Sequence, residues 1–273
     1  MPAGDGAIST LDFDTHLRTQ VQPKLLPLLD KFVRFASRLN EKSVRDVRWN
    51  PTAENLRDRF NNHIDSLLAA QVSKFALLAE NLTWSVNRGD FLAYGLVGRA
   101  LIEHAAVLRY YLADQIDPFL KGSIQRGYVT QEEIANLIDI LDKHLRGGRF
   151  DWGAFLTGDV EALSNDDASS LLRQVNVKTC IDSWATETAS VRILYNLFCD
   201  LVHPNVGSSL LVMKQWPDGI GFGAKGGRQF GVDIFDRTFA GLVMVTDTVS
   251  RMLDSLPLLR LPDEGSDGGP TIL

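Results

Sequence analysis

The chain has 273 residues, with 45% hydrophobic and 23% charged side chains and a formal net charge of −6. That is the composition of an ordinary globular protein, with enough apolar surface for one large domain or two small ones. The acidic balance argues against broad electrostatic binding along a nucleic-acid backbone, while leaving room for a local basic patch.

Residues 1–10, MPAGDGAIST, lack the basic-then-apolar order of a signal sequence and read as a flexible tail. A helical-bundle domain is expected from 11 to 260. Its first helical region, 11–40, is interrupted by Pro23 and Pro27, and a second helix runs through LLDKFVRFASRL. The basic and aromatic residues of 31–49 alternate as a helix with a solvated face would place them. Asn50-Pro51 is a helix entry, with Asn as the cap and Pro in the first turn. The helix that follows, 52–87, carries Leu56, Phe60, Leu67, Leu77 and Leu78 on its apolar stripe and His63 at its edge. Arg88-Gly89 ends it.

Asp90 caps the next helix, 91–117, which is apolar almost all round. Val97, Leu101, Ala105 and Leu108 mark one face, and Leu92, Leu96, Ala106 and Tyr110 another, with Arg99 and Glu103 among the latter. Such a helix belongs in the middle of a bundle, where Arg99 and Glu103 must pair with each other or with a later helix. No apolar run free of charge approaches 18 residues, so no membrane span is expected. Thr130-Gln131-Glu132-Glu133 is a capping box that opens a helix to about Arg146, and Ser164 to Asp167 resembles another.

The segment from Val177 to Asn205 reads as one long helix. Trp184, Val191, Leu194, Phe198, Leu201 and Val202 form its core face at helical period. Arg192, Asn196, Cys199 and His203, spaced by four, three and four residues, form a second, mostly polar stripe flanked by Tyr195. Pro204 stops the helix and leaves His203 at the negative end of the dipole. Two readings of the stripe stand side by side: a second packing surface with paired polar groups, and a lined binding pocket of Arg192, Tyr195, Asn196, Cys199 and His203. Cys180 and Cys199, about 28 Å apart on one straight helix, could not form a disulfide, and reduced cysteines fit a cytoplasmic protein.

After Pro204, SSLLVMKQW and GIGFGA around Pro217-Asp218-Gly219 read as a β-hairpin at about 208–224, inserted before the last helix. The glycine-rich loop with Lys225 and Arg228 lacks the spacing of a phosphate-cradling loop. Phe235, Phe239, Leu242, Val245, Val249 and Met252 line one side of the final helix, and 261–273 is a disordered tail by composition. The predicted fold is therefore mainly α: a single helical-bundle domain with one inserted hairpin. No metal site is expected, because the histidines and cysteines lack ligand spacing. No cofactor motif, GxSxG elbow or dinucleotide fingerprint is present.

Arg99-Ala100-Leu101-Ile102-Glu103-His104 is an Arg-x4-His pattern. It resembles the motif of HEPN-type proteins, which are all-helical. Many of them are metal-independent ribonucleases that act as dimers in bacterial toxin and antiviral systems. That resemblance implies an RNA substrate, a homodimer, His104 as acid–base and Arg99 as the group that stabilises phosphate charge. Ala100 departs from the polar residue the family often carries there, and a straight helix sets Arg99 and His104 about 140° apart. Across about 90 to 205, Arg99-x3-Glu103 together with Tyr195-x7-His203-Pro204 is similar to bacterial helical-bundle families of unknown function, some of them encoded near phage-defence genes.

Two functions follow. The first is a binding or interaction module, with an unidentified ligand or protein partner held in a polar pocket between the 90–116 and 178–203 helices. The second is a HEPN-like metal-independent ribonuclease. The candidates for any catalytic role are His203, Arg99, Glu103 and His104, with His203 outside the HEPN-like motif. His104 flanks the apolar stripe of its helix and is expected to be largely buried and away from Arg99, whereas His203, at a helix end before a turn, is expected to be the more accessible of the two.

Overall fold

The computed structural model describes residues 11–43, 46–48, 50, 55–146, 156–158, 175–223, 227–261 and 271–272. Of these residues, 80% are helical. The expected 1–10 tail, Pro51 of the Asn50-Pro51 entry, the 164–167 box and all but three residues of the 261–273 tail lie outside the described set. Two compact units emerge. The first comprises residues up to 44, 72–105 and 187–250; the second comprises 45–71, 106–186 and 251–273.

In chain order the helices are α1 (Thr15–Gln20), α2 (Leu26–Ser43), α3 (Leu56–Asn87), α4 (Phe91–Arg109), α5 (Asp117–Arg126), α6 (Gln131–Arg146), α7 (Val177–Glu187), α8 (Ser190–Val202), α9 (Val206–Leu210) and α10 (Arg228–Ser255). A short 3-10 turn, Pro23–Leu25, precedes α2, as the prolines require. The hairpin β2 (Met213–Trp216) and β3 (Gly219–Phe222) sits immediately before α10. Its first strand is shorter than expected. Asn205 instead caps α9 with a reciprocal Asn205–Ser208 box, which turns 206–210 helical. A further pair, β1 (Tyr128–Val129) with β4 (Thr271–Ile272), lies outside the expected β region and ties part of the C-terminal segment to the second unit.

The first unit is built on aromatic packing. Phe235 and Phe239, one turn apart on α10, stack with centroids 4.6 Å apart, and Phe32 of α2 meets Phe239 at 5.5 Å. Tyr94 lies 5.5 Å from both Phe198 and Phe235. All of these side chains are fully buried. Tyr94 donates its hydroxyl to Thr238 Oγ1 at 2.7 Å, because the Thr238 hydroxyl is already given to the Ile234 carbonyl. Asp90 caps α4 as expected, accepting from Ala93 N at 2.9 Å. Gly98 lets α8 approach α4 closely: a Cβ there would fall 2.5 Å from Phe198 Cε1.

In the second unit, Phe60, Ile64 and Leu67 from α3, Ile134, Leu137, Ile138 and Leu141 from α6, and Cys180, Ile181 and Trp184 from α7 are buried. The Thr130 capping box forms as expected, with Thr130 N donating to Glu133 Oε2 at 2.9 Å and Glu133 N to Thr130 Oγ1 at 3.2 Å. His63, expected at the core edge, is wholly buried and faces Asp142 Oδ1 at 3.0 Å through Nε2 and the Arg59 carbonyl at 2.7 Å through Nδ1. Asn61 clamps both backbone groups of Leu261, donating to its carbonyl at 2.9 Å and accepting from its N–H at 2.8 Å.

Two helical expectations are corrected. The helix from Val177 breaks at Thr188–Ala189, where α7 ends and α8 begins. The run Thr186, Thr188, Ser190 supplies hydroxyls that compete for main-chain carbonyls; Thr186 Oγ1 donates to the Ser183 carbonyl at 2.7 Å, and Val191 N turns back to the Thr188 carbonyl at 3.0 Å. The helix from Phe91 does not run on as a regular α-helix either, because Tyr110–Ile116 adopts π-helical hydrogen bonding before α5. Taken as one helix, Phe91–Ser123 is long and apolar enough by length and composition to cross a membrane, contrary to the sequence expectation. Yet 56% of its most apolar window is buried inside the protein, as in a core helix.

Candidate functional site

The first unit brings three of the sequence-selected residues into one network. Arg99 and Glu103 are four apart on α4, and the Arg99 Nε donates to Glu103 Oε1 at 2.8 Å. Tyr195 of α8 donates its hydroxyl to the same oxygen at 3.1 Å. The guanidinium carbon of Arg99 stands 5.8 Å from the Tyr195 ring centre, and Cys199, one turn along α8, borders both. Glu103 thus gains the salt-bridge partner that the sequence required. The pair is not buried, however: the Arg99 and Glu103 side chains are 30% and 27% exposed. The network is a half-open strip on the surface, and for a pair so exposed the bridge contributes well under the several kcal/mol of a buried ion pair.

Partial burial, then the Cys199 and Glu103 side chains, push the Tyr195 phenol up to about 12, so it remains a donor at neutral pH. The hydrogen bond to Glu103 raises the Arg99 guanidinium further above its ordinary value.

Arg192 and Asn196 lie exposed on the outer stripe of α8. His203 is the C-terminal cap residue, extended at φ −77 and ψ 152, with its N–H on the Cys199 carbonyl at 3.0 Å. Pro204 therefore ends the helix as predicted, and His203 is exposed as expected. Among the described residues, no side-chain hydrogen bond or ion pair joins His203 to the Arg99–Glu103–Tyr195 network. The second face of α4 is buried at Ala106 but not at its N-terminal end: Leu92 and Leu96 are 44% and 53% exposed, on the same stripe as Arg99 and Glu103. An apolar residue at helical period needs a neighbouring element to cover it, and the described residues leave about half of each of these two side chains exposed.

His104 corrects another expectation. It is exposed, not buried. It turns toward α3, where its ring meets Phe75 edge-on at 6.5 Å, whereas Arg99 turns toward α8. Desolvation of that covered side, and then Lys74, lower its pKa below the ordinary histidine value, and Glu103 opposes them. A depressed histidine pKa means that folding is favoured above the unfolded pKa and that this contribution is lost as pH falls. In an NMR titration His104 should therefore show a midpoint below that of an unstructured histidine, and Lys74→Ala should raise it. A His104 midpoint at or above the unstructured value would contradict this environment.

Polar groups that the sequence did not single out gather in the second unit. Arg109 Nη1 lies 3.4 Å from both Asp114 oxygens and 3.3 Å from Ser183 Oγ, and Ser183 donates to Asp114 Oδ2. Asp114 sits in the π-helical turn, a feature often found where a side chain must be re-aimed. Burial, with Asp114 second, pushes the Cys180 thiol up to about 12, which makes it an inert core thiol. Gln71 Nε2 lies 3.1 Å from His144 Nε2, and Tyr111 packs on the His144 ring at 4.5 Å. Both cysteines are free thiols. Among the described residues, no group of three metal-ligating side chains occurs.

No family model, curated protein or solved structure matches this chain.

Proposed function

We propose that this chain is a binding module that engages its partner through the α4–α8 strip of the first unit and does no chemistry there. The observation that supports this reading is the joint placement of a locked Arg99–Glu103–Tyr195 network and the uncovered Leu92 and Leu96 on one helix stripe. Polar groups held in place beside exposed apolar side chains are what a recognition surface needs. The setting that accompanies this proposal is a bacterial phage-defence or toxin–antitoxin system, as the helical-bundle and HEPN resemblances imply, in the cytoplasm that reduced cysteines fit.

A HEPN-like nuclease would need Arg99 and His104 at one scissile phosphate. Within one chain they point to opposite sides of α4, which favours the module over the enzyme. The purified protein, incubated with mixed RNA in EDTA, should cleave nothing above the level of a His104→Ala control. Cleavage that survives EDTA and vanishes in His104→Ala, with the circular-dichroism spectrum unchanged, would overturn the proposal. Cleavage lost only in His203→Ala would overturn it too, and would place a reactive centre at the end of α8.

A further inference from the structure

Resting on that reading of the strip, we infer that the Arg99 guanidinium is an oxyanion receptor, and that the partner presents a carboxylate or phosphate beside an apolar group.

An arginine fork recognises two coplanar oxygens best when its plane is fixed before the ligand arrives. Arg99 meets that condition. Its Nε is tied to Glu103 Oε1 at 2.8 Å, and that oxygen is held in turn by the Tyr195 hydroxyl at 3.1 Å. The Tyr195 ring lies alongside at 5.8 Å. Among the described residues, neither Nη1 nor Nη2 makes a hydrogen bond or ion pair, while the side chain is 30% exposed. The guanidinium is therefore anchored by one edge and offers the other, the end-on Nη1/Nη2 edge, to incoming oxygens. Glu103 bonds both Nε and the Tyr195 hydroxyl through Oε1, so it occupies the anchored edge and not the Nη1/Nη2 edge.

The surroundings select within oxyanions. Leu92 and Leu96 lie seven and three residues before Arg99 on α4, 44% and 53% exposed. Asn196 and His203 are exposed on the α8 stripe that contains Cys199, the neighbour of Arg99. An anionic head on Arg99 thus leaves an apolar body over the leucines. Aryl carboxylates and aryl phosphates have this shape, as does an acidic side chain flanked by apolar ones.

The test is an NMR titration of the 15N-labelled full chain with benzoate, phenyl phosphate, inorganic phosphate and chloride at constant ionic strength. Arg99 Nε–H and the amides of Glu103, Tyr195 and Cys199 should shift saturably with the first two, more weakly with inorganic phosphate and not with chloride. Arg99→Lys keeps the charge and loses the fork, and should weaken benzoate and phenyl phosphate binding at least fivefold. Glu103→Gln, which loosens the anchor, should weaken it less. Preference for benzoate over phenyl phosphate, or the reverse, assigns the head group. Non-saturating shifts, equal shifts with chloride, or unchanged affinity in Arg99→Lys would each overturn the inference. A failure here is distinguishable from failure of the module, because covalent capture of a macromolecular partner at Leu96 would persist in Arg99→Lys if only the oxyanion reading is wrong.

Discussion

Asp142→Ala should lower the unfolding free energy by about 1–3 kcal/mol, the usual result of taking the hydrogen-bond partner from a buried polar group. The reason is local. His63 is wholly buried, and its two ring nitrogens face the Arg59 carbonyl at 2.7 Å and Asp142 Oδ1 at 3.0 Å. Alanine removes the Nε2 acceptor and puts nothing in its place, so a polar ring atom loses this partner where water cannot readily substitute. Asp142→Asn retains an oxygen at that position and should lower stability by less. Urea titrations of the three proteins at pH 7 read this directly. A loss below about 1 kcal/mol for Asp142→Ala would equate the pair with an exposed one and sink the argument.

Phe198→Ala should lower stability by about 3–5 kcal/mol, since a fully buried aromatic is removed and a cavity left behind. Its second consequence is more diagnostic. Gly98→Ala alone forces a Cβ to within 2.5 Å of Phe198 Cε1, an overpacking of about 1–3 kcal/mol. In the Phe198→Ala background the ring is gone, so Gly98→Ala should cost little and return the helix-propensity gain of alanine over glycine, about 1 kcal/mol. The double-mutant cycle should therefore show a coupling on the order of 1–3 kcal/mol. Additive losses would mean that Gly98 is not where α4 and α8 come closest.

How much of this architecture is legible in the sequence depends on how local its causes are. The Thr130–Glu133 box, the Asp90 cap, the stop at Pro204 and the apolar stripe of α10 through Phe235 and Phe239 all follow from a few adjacent residues, and all are where they were expected. The π-helical turn at Tyr110–Ile116 is invisible because a one-residue slip in hydrogen bonding leaves the apolar pattern almost unchanged. The break at Thr188–Ala189 hides for a similar reason: Trp184 and Val191 remain seven apart and in phase across it, and both are buried. Only the run of hydroxyl side chains hints at it.

For the site, the i,i+4 spacing made the Arg99–Glu103 bridge readable. Its junction with Tyr195 is a contact between residues 92 apart, for which no sequence rule exists. Exposure was the least legible property. Leu92 and Leu96 carry the apolar signature of a core face, yet among the described residues they stay about half exposed, while His104 flanks an apolar stripe and still reaches solvent. Period shows which residues share a face, but not whether another helix covers it.

That uncovered face carries the central claim, and site-specific photo-crosslinking tests it most directly. A photoreactive amino acid is placed at Leu96, or as a control at the exposed Lys121 of α5 in the second unit, in the full chain inside its native host. The account predicts one discrete adduct from position 96, lost or reduced when Leu92→Asp is added, and none from position 121. No adduct at 96, or the same adducts from both positions, would contradict a binding surface on α4 and α8.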